Sequence, residues 1–506
     1  MEIYSHSPEG YDGELVRVET DLRRGIPGFD LTGLAGAAVR EARERVRAAI
    51  RNSGFIFPLE RILINLSPSD IRKSGSGFDL ALALSLLIES DQVSGWEESL
   101  MALGELQLDG RVRPVPGVLS AAVAARKAGI TFLLISRENA QEASVLEGIK
   151  ILAVDHLSQL KDLVSLEPYK TGEKSNFQCQ VPHSSKFPDI RTLKGQKKVK
   201  RALMAVAAGG HNLFLLGPPG SGKTLAARTL AGLLPEWSQE ESLETTRLWS
   251  LAGRMESRSG LLPCRPFRHP HHSASAEGLL GGGQQIRPGE ISLAHQGVLF
   301  LDEAPEFKSD LLQGLREPLE EGQVQISRAG RFYQFPAAFQ LVLAANPCPC
   351  GQTGRSEGWC SCSPVEKGSY IKKLGGALLD RLDLRIEVSP SSPEELALSP
   401  DDDTTVLKNR IREARLISLH RPGGLGLPNA RLTHAQLRTM PECGSDLFTR
   451  WSRSTRSSGF SSRGLIQIWR LARTLADLDS QNCLNEDHLE EAWELRGGKG
   501  GQFGWF

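Results

Sequence analysis

The segment Gly217-Pro-Pro-Gly-Ser-Gly-Lys-Thr224 stands between an apolar strand predicted over 212–216 and a helix predicted over 225–234. It fits the pattern G-x-x-x-x-G-K-[ST], and a strand before it and a helix after it are the context that this phosphate-binding loop requires. The glycines let backbone N–H groups turn toward phosphates, Lys223 supplies charge for the β and γ phosphates, and the Thr224 hydroxyl can ligate Mg²⁺. A chance glycine-rich turn is the alternative, and the flanking elements disfavour it. The predicted nucleotide-binding residues are Gly217, Pro218, Pro219, Gly220, Ser221, Gly222, Lys223 and Thr224.

A second apolar strand, predicted over 297–301, ends in Asp302 and Glu303. Buried parallel strands carry functional residues at their carboxyl ends. We expect Asp302 to hold Mg²⁺ through water and Glu303 to polarise the attacking water. Many buried strands end in an acidic residue, so this strand is informative only together with the glycine-rich loop. The interval from Lys223 to Asp302 exceeds the ~30 residues of one β-α-β unit, which predicts an insertion between them.

A third apolar strand, Gln340-Leu-Val-Leu-Ala-Ala-Asn346, ends in an amide side chain. At the carboxyl end of a parallel strand, Asn346 could orient the attacking water against the γ phosphate. The alternative is a turn-forming asparagine in front of Pro347.

Together these three segments resemble the AAA+ ATPases and, within them, the magnesium-chelatase-like group. The resemblance implies ATP and Mg²⁺ as cofactors, with Lys223, Asp302 and Glu303 as catalytic residues and Asn346 as sensor 1. It also implies that the chain assembles into a homo-oligomeric ring, expected to be hexameric.

The same resemblance implies roles for two arginines. Leu378-Leu-Asp-Arg381-Leu-Asp383 matches the arginine-finger segment of that group, so Arg381 is expected to reach ATP bound by the neighbouring subunit. Arg463, at the start of the last apolar helix, is similar to sensor 2. A planar guanidinium stabilises the charge that develops in phosphoryl transfer. Arg381 could instead form a salt bridge with Asp380 or Asp383, and Arg463 could simply lie on the surface.

The first 165 residues show a separate α/β pattern. Strands alternate there with alanine-rich helices, which is typical of an α/β domain. The predicted strands are Arg61–Leu66, Thr131–Ser136 and Ile149–Val154, and the predicted helices are Gly36–Ser53, Asp79–Ser90 and Val118–Ala128.

This N-terminal part, including the stretch from Leu103 to Gly117, resembles the Lon protease catalytic domain, a ribosomal-S5-domain-2-like fold. In Lon the stretch continues into a helix start that contains a lysine, whereas the segment 118–121 has none. A Ser-Lys dyad cannot form without that general base. The resemblance therefore implies a Lon-like domain without peptidase activity, in which Ser74, Ser76 and Ser120 serve as turn and cap residues.

We predict four parts: a Lon-like domain over 1–165, a polar linker over 166–188, an AAA+ core over 189–395 and a helical lid over 396–506. This arrangement identifies the chain as a member of the ComM-type family, also called the YifB family. Membership implies a DNA helicase that drives branch migration in natural transformation or homologous recombination. A chelatase-type motor that remodels a partner protein is the alternative, and an ATP-dependent peptidase is disfavoured.

The alternating segment from Val324 to Phe335 predicts a β-hairpin with Ala329-Gly330 at its turn. It resembles the presensor hairpin of the replicative minichromosome maintenance helicases, and the insertion around Arg287 resembles their helix-2 insert. The resemblance implies that Arg328, Arg331 and Arg287 contact DNA phosphates, independently of sequence. Alternatively, Arg328 and Arg331 are ordinary solvated turn residues.

Eight cysteines are present, and four of them form a C-x-C, nine-residue, C-x-C array directly after Asn346. Four thiolates with this spacing could close a tetrahedral Zn²⁺ site, although C-x-C is less typical than C-x₂₋₄-C. Four unligated cytosolic thiols are the alternative. The array consists of Cys348, Cys350, Cys360 and Cys362, whereas Cys179, Cys264, Cys443 and Cys483 are scattered. His269, His271 and His272 are expected to make polar loop contacts.

The chain has 506 residues, with 60 Lys and Arg against 60 Asp and Glu. A zero net charge means that DNA contacts must come from local basic patches. The N-terminus lacks the basic start and apolar stretch of a signal peptide, and no apolar run approaches the ~18 residues of a membrane span. We therefore expect a cytoplasmic protein without a membrane partner.

Overall fold

The structure, a computed structural model, is an α/β protein with two large sheets, which confirms the predicted fold class. Ser74, Cys179, Ala329 and most of the predicted linker lie outside the residues that it describes. The exact domain boundaries stay a prediction. The described residues are 2–34, 36–70, 73, 75–170, 187–255, 260–328, 330–353, 359–397, 403–423, 426–454 and 461–498.

The N-terminal part contains a seven-stranded mixed sheet in the order β3-β4-β2-β1-β5-β8-β9 and a separate β6-β7 pair. Its strands are β1 Ile3–Ser7, β2 Glu14–Arg23, β3 Gly28–Thr32, β4 Arg61–Ser67, β5 Leu100–Leu103, β6 Glu105–Leu106, β7 Val112–Arg113, β8 Phe132–Ser136 and β9 Lys150–Val154. Its α-helices are α1 Ala37–Asn52, α2 Asp79–Glu89, α3 Val118–Lys127 and α4 Arg137–Ala143, followed by a 3₁₀ segment over Leu157–Ser165.

Helical periodicity explains how this sheet is covered. In α1 the buried residues Val39, Ala42, Val46 and Ala49 recur at spacings of three and four, so one face of the helix is apolar. Helix α2 is buried along nearly its whole length. Each leucine buried there stabilises the fold by roughly 1.5–3 kcal/mol relative to an exposed one.

The central part is built on a five-stranded sheet in the order β11-β14-β17-β10-β18, with all strands parallel. Its strands and two small hairpins are β10 Leu213–Leu216, β11 Phe267–Arg268, β12 Gly281–Gly282, β13 Arg287–Pro288, β14 Val298–Leu301, β15 Gln323–Arg328, β16 Arg331–Pro336, β17 Gln340–Ala345 and β18 Leu384–Glu387. Its α-helices are α5 Lys197–Gly209, α6 Lys223–Leu233, α7 Gln239–Leu251, α8 Ala276–Leu280, α9 Glu290–Leu293, α10 Ser309–Gly314, α11 Arg316–Glu321, α12 Pro364–Lys372 and α13 Gly376–Leu379.

Both faces of the parallel sheet are buried. Leu213 and Leu215 of β10 belong to one hydrophobic cluster, whereas Phe214 and Leu216 belong to another on the opposite face. Alternate residues of a strand point to opposite faces, so a strand covered on both sides must be apolar throughout. The polar residues that follow these strands therefore collect at the carboxyl edge of the sheet.

The C-terminal helices extend the first of these two clusters. Trp469 stacks on Phe448 with a ring-centroid separation of 4.2 Å, and both share the cluster with Leu213. Ser461 caps the N-terminus of the helix Ser462–Leu478 by accepting a hydrogen bond from the Gly464 N–H at 3.1 Å, which places Arg463 in the first turn. The helices are α14 Pro393–Ala397, α15 Thr404–His420, α16 His434–Thr439, α17 Ser445–Ser454, α18 Ser462–Leu478 and α19 Glu486–Leu495.

Among the residues described, no helix combines the length and the apolar character that crossing a membrane requires.

Candidate functional site

Three neighbouring strands bring the predicted nucleotide-binding segments together. Leu216, the last residue of β10, pairs with Ala345, the last residue of β17, and β14 pairs with the other side of β17. The glycine-rich loop, Asn346 and the two acidic residues after β14 therefore leave the same edge of the sheet. Asn346, predicted to follow the end of a strand, thus lies at the same carboxyl edge of the sheet as the glycine-rich loop.

The glycine-rich loop passes close to the neighbouring strand. A Cβ atom at Gly217 would lie 2.2 Å from the carbonyl oxygen of Val388, so only glycine fits. Gly222 has a φ of 93°, which glycine adopts without strain, and it starts α6. The buried Ser221 hydroxyl has no hydrogen-bond partner among the described residues. A loop with an unpaired hydroxyl and a helix N-terminus suits a phosphate chain.

Lys223 lies inside this loop, with its side chain buried. Its ammonium group donates hydrogen bonds to the carbonyl oxygens of Gly217 at 2.6 Å and Pro218 at 2.9 Å, and to Asn346 Oδ1 at 3.1 Å. Burial lowers the pKa of Lys223, and the negative charges of Asp302 and Glu303 oppose that shift. The contact with Asn346 directly links the glycine-rich loop to the end of β17.

The hydroxyl of Thr224 donates a hydrogen bond to Asp302 Oδ2 at 2.8 Å. A hydroxyl and a carboxylate oxygen are both ligands that Mg²⁺ prefers, so these residues fit the predicted magnesium site. The next residue, Glu303, has a φ of 49° and a ψ of 44°. A left-handed backbone outside glycine costs roughly 1–3 kcal/mol and is concentrated at functional sites.

The sequence did not predict that the histidine-rich loop after β11 lies beside the candidate nucleotide site. His272 Nδ1 lies 3.9 Å from Glu303 Oε2, and the His269 ring lies 4.8 Å from the Phe300 ring in β14. Burial lowers the pKa of His269, opposed by the charge of Asp302. The loop reaches the site because β11 pairs with β14, a tertiary contact without a local signal in the sequence.

The two predicted phosphate-sensing arginines meet at one carboxylate. Arg381 Nη2 and Arg463 Nη2 each lie 2.7 Å from Glu320 Oε1, and Arg381 Nη1 also donates to the Ala377 carbonyl at 2.6 Å. Arg381 thus forms an intrachain salt bridge, and its partner is Glu320 instead of Asp380 or Asp383. Burial raises the pKa of Glu320, but the hydrogen bonds from both arginines outweigh this effect and hold it below its usual range.

The segment predicted as a hairpin is one, formed by β15 and β16 with Arg328 opposite Arg331. Arg328 is exposed, whereas Arg331 donates to the Asp70 carbonyl and lies 3.7 Å from the Glu9 carboxylate in the N-terminal part. Arg287 is exposed on the adjacent small β12–β13 hairpin and donates to the Gln285 side chain at 3.0 Å.

The four clustered cysteines do come together. Their sulfur atoms all lie within 4.8 Å of one another. Cys348 is fully buried, Cys350 is exposed, and Cys360 and Cys362 are partly buried.

Ser76 and Ser120 of the N-terminal part make structural contacts. Ser76 donates to the Glu105 carboxylate at 2.5 Å. The prediction that Ser120 is a turn or cap residue is wrong: it lies within α3 and donates to the Tyr11 carbonyl at 3.3 Å. It is buried because α3 packs toward the sheet and the loop after β1. The segment 118–121 forms the first turn of α3.

Family models of the magnesium chelatase subunit ChlI match three parts of the chain. The model described as "Magnesium chelatase, subunit ChlI" matches residues 189–396, "Subunit ChlI of Mg-chelatase" matches 18–139, and the ChlI C-terminal model matches 401–496. These matches cover much of the N-terminal sheet, the parallel sheet and most of the C-terminal helices.

Individual relatives match along nearly the whole chain. Competence protein ComM of Haemophilus influenzae is 39% identical over 98% of this chain and 97% of its own length. Uncharacterized protein YifB of Escherichia coli is 38% identical over 98% of this chain and 96% of its own. A Lon protease of Salinispora arenicola is 27% identical over 31% of this chain and 21% of its own, which supports the Lon-like N-terminal region.

Proposed function

Since the chain belongs to the ComM/YifB family of magnesium-chelatase-like AAA+ ATPases, we propose that it is a DNA translocase driven by ATP hydrolysis. The proposed assembly is a hexameric ring of identical subunits in the cytoplasm. Its proposed role is branch migration of DNA during natural transformation or homologous recombination. The name of the Haemophilus relative, a competence protein, supports this role.

Each of the residues around the glycine-rich loop has its own proposed role in ATP hydrolysis. Bound ATP and Mg²⁺ supply the phosphoryl group and the charge-neutralising cation. Lys223 binds the β and γ phosphates, Thr224 and Asp302 hold the cation, Glu303 polarises the water, and Asn346 orients it. The contacts of Thr224 with Asp302 and of Lys223 with Asn346 support this division.

We propose that the two small hairpins, β12–β13 and β15–β16, contact DNA during translocation. Gly281 of the β12–β13 hairpin packs against Ile326 of β15, since a Cβ atom there would lie 3.1 Å from Ile326 Cδ1. The two hairpins therefore lie side by side and present Arg287 and Arg328 to solvent. Exposed guanidinium groups on adjacent loops suit a sequence-independent grip on phosphates. This juxtaposition is the observation that carries the DNA proposal.

Arg381 and Arg463 support a ring. Both bind Glu320, so the two residues proposed to sense the γ phosphate lie together on one patch of the subunit. Arg381 Nε is buried and has no partner within the described part of the chain. Arg381 would leave Glu320 and this buried position to reach a neighbouring subunit's nucleotide, and ring closure requires this kind of head-to-tail contact.

A chelatase-type motor that remodels a partner protein is the second candidate. The three ChlI family models favour it, because they match parts of the N-terminal, central and C-terminal regions of the chain. Such a motor would respond to a protein partner and would not respond to DNA.

Measurement of ATP turnover by the full chain separates the two candidates. The assay compares no DNA, single-stranded DNA, a fork and a four-way junction, with Lys223→Ala as the inactive control. The DNA translocase predicts several-fold stimulation by DNA and conversion of a labelled four-way junction to two duplexes. Turnover that is the same with and without every DNA substrate would exclude the translocase.

A further inference from the structure

The loop that follows β17 joins the candidate nucleotide site to the cysteine cluster. β17 ends at Ala345, Asn346 follows it, and the buried Cys348 comes two positions later. Asn346 Oδ1 accepts a hydrogen bond from Lys223, so a shift of this loop would move a group that touches the phosphate-binding lysine. A metal bound by the cysteines would therefore affect the position of Asn346 in the nucleotide site.

The separations between the sulfur atoms match those of a mononuclear metal site. Cys350 Sγ lies 3.3 Å from Cys348 Sγ and 3.7 Å from Cys360 Sγ, and the Cys348–Cys360 distance is also 3.7 Å. Four thiolates at the Zn–S distance of ~2.3 Å form a tetrahedron with edges of about 3.8 Å. A disulfide would bring two sulfurs to about 2.05 Å, and an iron–sulfur cluster would spread them around several iron atoms.

Hydrogen bonds to the sulfur atoms fit the same assignment. The backbone N–H of Thr353 donates to Cys348 Sγ at 3.4 Å, and its hydroxyl donates to Cys360 Sγ at 3.0 Å. Donors of this kind stabilise metal-bound thiolates and orient them. One threonine thus holds sulfurs from both C-x-C pairs.

The cysteine loop also packs on the glycine-rich loop. Gly351, between the two C-x-C pairs, donates its N–H to the Cys348 carbonyl at 3.0 Å. A Cβ atom at Gly351 would lie 2.9 Å from Pro219 Cγ and 4.0 Å from Asn346 Nδ2. The loop therefore touches both Asn346 and the nucleotide-binding loop.

We propose that Cys348, Cys350, Cys360 and Cys362 bind one Zn²⁺ in a closed tetrahedral site, and that this site positions Asn346 and Pro219 for ATP hydrolysis. Zn²⁺ binds the four thiolates and releases the thiol protons, without any change of oxidation state. The site is structural, because four thiolates leave no open position for substrate. The link to turnover rests on the proposed ATPase role of Asn346, whereas metal binding does not.

Metal content tests the site. The purified full chain should contain about one Zn²⁺ per subunit and no stoichiometric iron. Cys350→Ser with Cys362→Ser, which changes one ligand of each C-x-C pair and keeps the buried Cys348, should lower the zinc content at least tenfold. The exposed Cys483 provides the matched control, and Cys483→Ser should keep the full zinc content. Cobalt reconstitution should give thiolate charge-transfer absorption in the control and not in the double variant. Metal-free protein, stoichiometric iron, or full zinc in the double variant would each overturn the assignment.

A separate variant tests the coupling without removing a ligand. Gly351→Ala keeps all four cysteines but places a methyl group against Pro219 at a φ of 71°. It should retain zinc and lose ATP turnover several-fold. Gly368→Ala is the matched control, because an added Cβ at this helical position would have no described residue beyond its chain neighbours and its own helix backbone within 4 Å. Normal turnover in Gly351→Ala would refute the coupling. If the unaltered chain hydrolyses no ATP, the proposed function fails, while the zinc measurements still decide the metal site.

Discussion

Glu303 combines three features that bear on its role. It follows a buried strand, it holds a left-handed backbone conformation, and more than half of its side chain is exposed. The backbone N–H donates to Asp302 Oδ1 at 3.0 Å, which fixes the turn between the two acidic residues. This conformation points the two consecutive carboxylates in different directions. Asp302 contacts Thr224, whereas Glu303 faces solvent near His272.

Replacement of Glu303 by glutamine tests its role as the residue that polarises water. Glu303→Gln keeps the size of the side chain but removes the carboxylate, so ATP should still bind while turnover falls by about 10²-fold or more. Glu306→Gln, an exposed acidic residue in the next turn, is the control and should hydrolyse ATP normally. Turnover and nucleotide affinity are measured on the same preparations. Normal turnover in Glu303→Gln would refute the assignment.

His6 predicts how the stability of the N-terminal part depends on pH. Its ring is buried in β1, where Nε2 donates to the Asp12 carbonyl at 3.0 Å, and burial lowers its pKa to about 4. The unfolded chain, with a histidine pKa of ~6.5, binds more protons between these two values, so stability falls as the pH falls.

From pH 7 to pH 5 this histidine should cost on the order of 2 kcal/mol of folding stability. His6→Gln should flatten the decline of the thermal midpoint over this range, although it lowers stability at pH 7. His434→Gln, an exposed histidine on α16, should leave the decline unchanged. An identical pH profile for His6→Gln and the unaltered chain would show that His6 does not titrate as described.

At the scale of elements, local patterns predicted the buried parts well. The strand predicted over Arg61–Leu66 is β4, Arg61–Ser67, and the helix predicted over Asp79–Ser90 is α2, Asp79–Glu89. Apolar periodicity works there because burial alone decides the pattern. The strands β1, β2, β3 and β5 and the short β6–β7 pair were not predicted.

Physical reasons explain why β1 and β3 were not predicted. β1 reads Ile-Tyr-Ser-His-Ser, and two of its buried polar residues, Ser5 and His6, have hydrogen-bond partners outside the strand. The Ser5 hydroxyl, for example, donates to the Ala102 carbonyl at 3.1 Å. β3 is a short strand at the edge of the sheet, with alternating exposed residues and a glycine at its start. Neither segment carries the apolar run from which a strand is predicted.

The β15–β16 hairpin is the element on which the DNA proposal can be tested directly. Arg328 is exposed at its tip, so Arg328→Ala should weaken DNA binding while basal ATP turnover stays near normal. Loss of one phosphate contact should lower the slope of log affinity against log salt by about one unit. Arg331→Ala should act similarly if the hairpin leaves Glu9 when DNA binds.

Arg438→Ala, an exposed arginine on α16, is the control for loss of charge and should keep the salt slope. Binding is measured by fluorescence anisotropy with a forked DNA at several salt concentrations. If Arg328→Ala and Arg331→Ala together leave both affinity and slope unchanged, the hairpin is not the DNA contact.

At the scale of the whole molecule, the N-terminal part is bound to the ATPase core through specific side chains. Arg247 of α7 forms a salt bridge with Asp12 at 2.9 Å and lies over the Tyr11 ring at 4.0 Å. Tyr333 of the hairpin donates to the Glu9 carboxylate at 3.3 Å. These pairs are far apart in the sequence and lack a local signature, so only the folded structure reveals them.

The contacts of Arg381 and Arg463 with Glu320 also join residues from separate elements and lack a local signature in the sequence. The motif around Arg381 predicted an arginine that senses phosphate, and the alternatives considered were its neighbours Asp380 and Asp383. Glu320 lies on α11, a different element, and nothing in its sequence context marks it as a partner. A single motif thus identified the residue but could not identify what holds it in the isolated subunit.

Mixing of two inactive variants tests whether the ring completes each site. Arg381→Ala should bind ATP through its intact Lys223 but hydrolyse it at least 10³-fold more slowly, because the neighbour's site lacks the charge from Arg381. Lys223→Ala should be inactive because it lacks its own phosphate-binding lysine. In a mixture, an intact Arg381 from one parent can complete an intact Lys223 site of the other. Random assembly at equal amounts predicts recovery of up to about one quarter of normal turnover.

The matched control mixes Arg381→Ala with the double variant Lys223→Ala/Arg381→Ala, which contains no intact Arg381 and should recover nothing. Turnover is measured after the subunits have been allowed to exchange, and oligomer size is checked by light scattering. Recovery in the first mixture alone means that Arg381 acts across a subunit interface, so it must leave Glu320 in the assembled ring. Absence of recovery in mixed oligomers of normal size would mean that Arg381 acts within its own subunit, where its pairing with Glu320 is then its function.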